Sequence, residues 1–387
     1  MRTLNMMHAG LTAATVGLGL LAGGRASAAV VYTATQLDPI VGNYSGPGGL
    51  NDAGVVAGSA SSVIPGGTGV TAHIWTNGVA QDQGALFGGY SFATAINNGG
   101  VAVGQSAAPN SQYHAVKWSG GVAQDLPGLG GHTARADGIN ESGQIVGFSL
   151  LADFSQHAVL WSGGSVADLG TLGGAASQAR AINEAGAIVG DAQTASGATH
   201  AALWANGGIQ DLGTIAGDFS FALSVNDPGE AVGASSFDPQ SSFFHATLWS
   251  NGTAYDLGTL AGSLSTAFGN NNAGQVVGYS TWAGAGLHAF VWNAGVMSDL
   301  NELLAQPLGY TLVQAYGVNA GGQIAAFGRN AAGEGRAFLL TPSERPGPGA
   351  GTGAVPEPAT WALMIVGFGG VGARLRRSAR NGRWTEA

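Results

Sequence analysis

No cysteine occurs among the 387 residues, so neither a disulfide framework nor a thiolate metal site can be built. Charge is scarce as well: only 9% of the residues are Asp, Glu, Lys or Arg. Between Ala29 and Ala354, 20 acidic side chains stand against 6 basic ones, a net of −14. A chain this acidic repels phosphate backbones, which argues against nucleic acid as a partner. Long apolar runs are missing from the body of the chain, where each run is only about 4 to 6 residues, rich in Val, Ile, Phe and Trp and bounded by Gly, Asn or Ser. Such runs favour strands over helices. With 68 glycines the composition fits a turn-dense all-β protein. Low-complexity disorder is the alternative for Gly-rich sequence, and regularly placed Trp, Val and Ile argue against it.

What the chain has is a repeat. Tryptophan recurs at Trp75, Trp118, Trp161, Trp204, Trp249 and Trp292, in steps of 43, 43, 43, 45 and 43 residues. A glycine follows each Trp by three residues, and an aspartate by seven (Asp82, Asp125, Asp168, Asp211, Asp256, Asp299). A second element, Asn-x-x-Gly before a small apolar run, starts at Asn51, Asn97, Asn140, Asn183, Asn226, Asn271 and Asn319. Self-similarity at this period indicates a solenoid, propeller or array.

Each unit reads as four strands. Strand A is His-Ala-x-x-Trp, and a short turn such as Asn206-Gly207 or Asn251-Gly252 joins it to strand B, which carries the Asp. Asn-Gly suits a type I′ turn, where both central residues need φ > 0, so A and B form a tight hairpin. A Gly-rich connection leads to strand C, and the Asn-x-x-Gly turn returns the chain as strand D. Four antiparallel strands in about 43 residues match a propeller blade. The chain from about Val31 opens with a B-like strand ending at Asp38, then C and D, with no A before them. It closes with a lone A strand, Arg336 to Leu340. Seven of each strand type make 28, and B, C and D from the start with A from the end complete one blade. The expected fold is an all-β, seven-bladed β-propeller over 29–341, closed by the C-terminal strand joining the N-terminal blade, with no open sheet edge. A parallel β-solenoid is the alternative.

The two ends read as addresses. Met1 to Ala28 has a short basic start with Arg2, an apolar stretch from Ala9 to Gly24 and Ala26-Ser27-Ala28, the pattern of a cleaved secretory signal. Residues 342–354 form a Pro/Gly linker. The segment 355–387 begins with Val355 and then Pro356-Glu357-Pro358. An apolar run from Ala359 to Ala373 follows, then Arg374, Arg376, Arg377 and Arg380. That run has 15 residues with four Gly, short of the roughly 20 needed to span a bilayer. The arginines after it would stay cytoplasmic. It reads as a short transmembrane helix with an Arg tail that anchors the chain only transiently.

This end resembles the PEP-CTERM sorting signal of Gram-negative bacteria: Pro-Glu-Pro, a short hydrophobic segment and a terminal Arg cluster in order, with Trp361-Ala362 and Gly367-Phe368-Gly369 similar to a proteobacterial subtype. The resemblance implies signal peptidase and an exosortase-type protease as processing partners, transient inner-membrane anchoring, and delivery to the cell surface or exopolysaccharide matrix. The repeat, His-Ala-x-x-Trp with Asp-Leu-Gly-Thr-Leu and Ala-Ile-Asn-x-x-Gly, resembles the HAF repeat of bacterial extracellular proteins. That resemblance implies export and a repeat fold, and it brings no catalytic residues.

His114, His157, His200, His245 and His288 lie four residues before their Trp. Repeated in successive units beside Asp125, Asp168, Asp211 and Asp256, they read as blade-holding partners of buried groups rather than a ring of sites. At the ends Thr71 and Arg336 hold the His position, and His73 lies two residues after Thr71. The aspartates read as turn acceptors of backbone N–H groups. No dense oxygen cage supports Ca²⁺. No catalytic, cofactor-binding or metal residue is assigned, and no cofactor is expected. The D-to-A connections differ between copies and carry aromatics, so Tyr113, Phe154, Phe237, Phe243 and Trp282 are candidate binding-loop residues on a fixed scaffold. The expected role is a non-enzymatic binding or structural component of the cell surface or matrix, with exopolysaccharide or other surface glycans as partners. The alternative is an extracellular polysaccharide hydrolase or lyase.

Overall fold

A computed structural model describes residues 30–109, 112–239, 243–283 and 286–344. The expected signal peptide 1–28, most of the expected linker, and the expected sorting segment 355–387 with its Pro356, Glu357, Pro358, Arg374, Arg376 and Arg377 lie outside the described residues. Among the described residues, 28 strands form seven four-stranded antiparallel sheets. Blades 1 to 6 span 45–84, 91–125, 130–168, 173–213, 220–256 and 261–299, and blade 7 joins 311–344 to 30–37. This is a seven-bladed β-propeller. Separate antiparallel sheets rule out the solenoid.

Within each sheet the order is C, D, A, B. C is innermost, because the C strands of successive blades meet at a closed ring of asparagines. The blade boundary therefore falls between B and the next C. The closing blade is split differently from the expected three-plus-one: its C, D and A strands (Thr311–Val318, Ile324–Arg329 and Gly335–Glu344) come from the C-terminal end, and only B (Val30–Leu37) from the N-terminal end. The cause is that D pairs with A across the variable loop, whereas B crosses to the next blade. The last strand also runs to Glu344, three residues into the segment expected to be linker. Pro342 is tolerated there because beyond Leu340 the strand pairs with Val30–Leu37 alone. The outer edge of that N-terminal strand is covered in turn, with Tyr32 N–H donating to Leu303 O (2.8 Å) and Ala305 N–H to Tyr32 O (2.9 Å).

Local chemistry explains the units. The A–B turns Asn77-Gly78, Asn206-Gly207 and Asn251-Gly252 have φ of 51° and 80°, 54° and 76°, and 51° and 77°, as a type I′ turn requires. On strand D of blades 1 to 6 a glycine makes room for strand C: a Cβ on Gly190 would lie 1.9 Å from Gln178 O, because strand C shifts register between Ala179 and Ala181 and presses on it, whereas blade 7, with a further shift between Leu312 and Gln314, carries Ala326 there. Small apolar clusters fill the space between neighbouring sheets, as with Val146 and Ala158 of blade 3 against Ala179, Ile188 and Trp204 of blade 4. Trp75, Trp118, Trp161, Trp204 and Trp249 are buried. With roughly 200 Å² removed from water per ring at about 25 cal/mol per Å², each contributes about 5 kcal/mol.

Two polar devices join the blades. The Nδ2 of Asn51 donates to Asn97 O (3.1 Å), Asn97 to Asn140 (3.2 Å), Asn140 to Asn183 (3.2 Å), Asn183 to Asn226 (3.0 Å), Asn226 to Asn271 (3.2 Å), Asn271 to Asn319 (2.9 Å), and Asn319 back to Asn51 (3.0 Å). Each Oδ1 meanwhile accepts an N–H from its own turn, so the side chain holds both its turn and the next blade. The second device is a serine at the start of strand C. Ser177 of blade 4 accepts Ala158 N–H (2.9 Å) and donates to Gly170 O (2.6 Å), both from blade 3. Ser45, Ser91, Ser220 and Ser265 do the same at their boundaries.

Candidate functional site

The topology gives the ring two unlike faces. Because C runs toward the Asn-x-x-Gly turn, that turn and the A–B turn lie on one face, the turn face. The D–A loops and B–C crossings lie on the other, the loop face.

On the turn face the asparagine ring is capped by a second circle. Asp52, Glu141, Glu184 and Asp227, with the amides of Asn98 and Asn272, accept backbone N–H groups from a neighbouring blade, and Ala320 interrupts the series. They rim a depression of about 250 Å³. Among the described residues, no group of three His, Cys, Asp or Glu side chains is placed to hold a metal ion. A larger cavity, about 560 Å³, lies between blades 2 and 3 beside Lys117, Pro127 and Trp161.

The loop face carries the repeated histidines, since His begins strand A and Asp ends strand B. The structure brings each pair together. His114 Nδ1 lies 2.9 Å from Asp125, His157 2.8 Å from Asp168, His200 2.8 Å from Asp211, His245 2.8 Å from Asp256, and His288 2.5 Å from Asp299. The pair clasps the outermost strand to its neighbour, and Asp168, Asp211 and Asp256 also accept the N–H two residues on. In blade 1, Thr71 replaces the His, and Asp82 takes the Ser62 hydroxyl and the Gly84 N–H instead. Burial alone would raise the Asp82 pKa, but those bonds outweigh it and hold it below the usual value. In blade 7, Arg336 stands 3.6 Å from Asp38, so the clasp there links the two ends of the chain. His73 is buried instead, bonded to Thr71 O. Four of the five histidine partners are thus carboxylates at the surface, not buried groups; only Asp299, the partner of His288, is buried.

Exposed aromatics gather on this face. Phe154, at φ +68°, is 68% exposed, Phe243 45% and Trp282 37%. Phe237 stacks on His245 at 3.7 Å and 15°, and Trp282 on His288 at 5.2 Å and 3°. Tyr113 is half-buried against Phe92. Sequence reasoning missed Phe87, which stands edge-on to His114, and Tyr44, Tyr90 and Phe219, which lead into strands C. Their signal was an aromatic at the end of a B–C crossing. Among the described residues, of the exposed aromatics only Tyr255 sits elsewhere, on an outermost strand.

A third arrangement is unique to blades 3 and 4, at the channel wall. Arg135 Nε donates to Asp137 (2.7 Å), Gln178 Nε2 to the other oxygen of Asp137 (2.8 Å), and Arg180 Nε to Asp191 (3.3 Å). Burial raises the Asp191 pKa despite Arg180. Across the ring, Phe268 stacks on Tyr316 at 5.2 Å, and burial pushes the Tyr316 hydroxyl up to about 12.

Residues 354–378 match the PEP-CTERM protein-sorting motif. The motif marks the protein as exported and sorted to the cell surface, with processing by an exosortase. No curated protein matches the chain. Among solved structures the chain is similar to TolB from Acinetobacter baumannii, at 14% identity and a TM-score of 0.40 over 63% of this chain. It spans 64% of the length of that TolB chain. It is also similar to AofleA from Arthrobotrys oligospora, at 13% identity and a TM-score of 0.35 over 70% of this chain and 88% of the other.

Proposed function

We propose that this surface-sorted propeller is a non-enzymatic, saccharide-binding component of the extracellular matrix, and that the loop face does the binding. The observation that carries this is the gathering of aromatics there, with the exposed Phe87 and Trp282 and the half-buried Phe237 set against the histidines of the His–Asp clasps. A flat ring with a fixed plane offers the C–H face of a sugar a stacking surface, and the adjacent His and Asp offer hydroxyls donors and acceptors. Because the clasp already fixes each histidine, little side-chain entropy remains to be lost on binding. The blades are taken as HAF-type repeats. Signal peptidase and an exosortase process the ends, and the run 359–373 anchors the chain transiently in the inner membrane.

The test is a glycan array and calorimetry on the exported protein, with reducing ends monitored in parallel. Saturable binding without new reducing ends is expected, weakened about tenfold or more by Trp282→Ala or Phe237→Ala. Absence of binding to any saccharide, or alanine variants that bind like the parent, would overturn the proposal. Release of reducing ends would instead support the hydrolase alternative.

A further inference from the structure

We infer that Arg135 and Arg180, at the channel wall of blades 3 and 4, form a binding site for a carboxylate-bearing sugar, a uronate. This rests on the saccharide-binding role and names the sugar class.

Basic side chains are rare here, 6 between Ala29 and Ala354, yet two occupy the innermost strands of adjacent blades. The blade does not need them there. At the position of Arg135, counted from the turn asparagine, other blades carry Gly46, Phe92 and Phe221. At that of Arg180 they carry Thr94, Leu223 and Phe268. Charge at these places is a property of this pair of blades, not of the repeat.

Both guanidinium groups are held in place yet incompletely used. Each spends its Nε–H on an aspartate, and Arg135 also lies over the Phe148 ring at 5.4 Å. Among the described residues neither group's terminal Nη atoms have a hydrogen-bond partner, and the side chains are 28% and 29% exposed. Asp137 is engaged on both oxygens, by Arg135 and Gln178. What remains unspent is donor capacity, four N–H bonds on each guanidinium. A donor-rich, pre-oriented pair selects an acceptor, and a planar guanidinium matches a carboxylate bidentately. The aspartates cancel the net charge, so geometry rather than a diffuse positive field provides the selectivity. This is also how an acidic protein can hold an acidic sugar.

The test compares tetragalacturonate with its fully methyl-esterified form, which keeps the shape and removes the charge, by calorimetry on the exported protein. The acid is expected to bind at least tenfold more tightly than the ester. Arg135→Gln with Arg180→Gln, where each amide can still donate to its aspartate, is expected to remove the acid's advantage, so that acid and ester bind alike. Equal affinities for acid and ester, or a preference that survives in the double variant, would overturn the inference. The acid–ester comparison on the unaltered protein decides the matter even if the double variant does not fold. Binding of neutral glycans alone defeats this inference and leaves the broader role standing. Binding of no saccharide defeats both.

Discussion

Replacing Asn183 by Asp changes one side-chain atom of the asparagine ring, and the consequences can be worked from its two hydrogen bonds. Oδ1 accepts Ala187 N–H at 2.8 Å, and an aspartate keeps that bond. Nδ2 donates to Asn226 O at 3.0 Å, and there the substitution sets a carboxylate oxygen against a carbonyl oxygen. The lost bond is worth about 1 kcal/mol and the buried, unpartnered carbonyl and charge cost more, so about 3 to 5 kcal/mol is expected at neutral pH. The carboxylates of Glu184 and Asp227, which cap the same turns, add repulsion. Burial and these neighbours raise the pKa of the introduced carboxyl above its unfolded value. A raised carboxyl pKa stabilises below the unfolded pKa and loses that contribution as pH rises through the folded one. Protonated, the group becomes an O–H donor to Asn226 O and the ring is whole again. Urea unfolding followed by tryptophan fluorescence at pH 7 and pH 5 reads this directly. Asn183→Ala, which orphans the Ala187 N–H, should cost about 3 kcal/mol, or about a hundredfold in the unfolding equilibrium, with no such pH dependence. An Asn183→Asp protein as stable as the parent at pH 7, or one whose deficit does not shrink on acidification, would refute the account of the ring.

Other outcomes follow from the same geometry. Tyr316, with its pKa pushed up to about 12 by burial, stabilises fully below about 10, and that contribution of about 3 kcal/mol is lost as pH rises to 12. Tyr316→Phe should remove that part of the alkaline fall in the unfolding midpoint. Gly190→Ala, with a Cβ due 1.9 Å from Gln178 O, should destabilise by about 3 kcal/mol or more in the same urea assay. Arg336→Ala should cost no more than about 1 kcal/mol, because the Asp38 partner is exposed. Removal of residues 30–37 should instead bare a sheet edge and give oligomers in light scattering.

The strand count and the ring were legible because they rest on local chemistry: Asn-Gly turns that require φ > 0, and apolar runs too short for helices. The blade boundary was not, because hairpins A–B and C–D are both encoded locally and neither says which side of the variable D–A loop completes the sheet. The turn asparagines were visible as turns, but the donor that reaches the next blade links residues 43 apart, as from Asn140 to Asn183. The serine link had a signal, Ser six residues before Asn in five copies, that only three-dimensional pairing made meaningful. Arg135, Asp137, Arg180 and Asp191 were hidden for the opposite reason. Each departs from the repeat singly, and their meeting depends on the contact of adjacent blades.

The pairing of Val30 with Glu344 has a mechanical consequence. Both residues lie at the turn-face end of blade 7, the end opposite the aromatic loops. A load applied there runs lengthwise along Gly335–Glu344, which is flanked by eight paired residues on one side and six on the other. Such a load strains those ladders together, in shear, instead of opening them bond by bond. The weld that closes the ring is therefore strongest against a pull on Glu344 along its own strand.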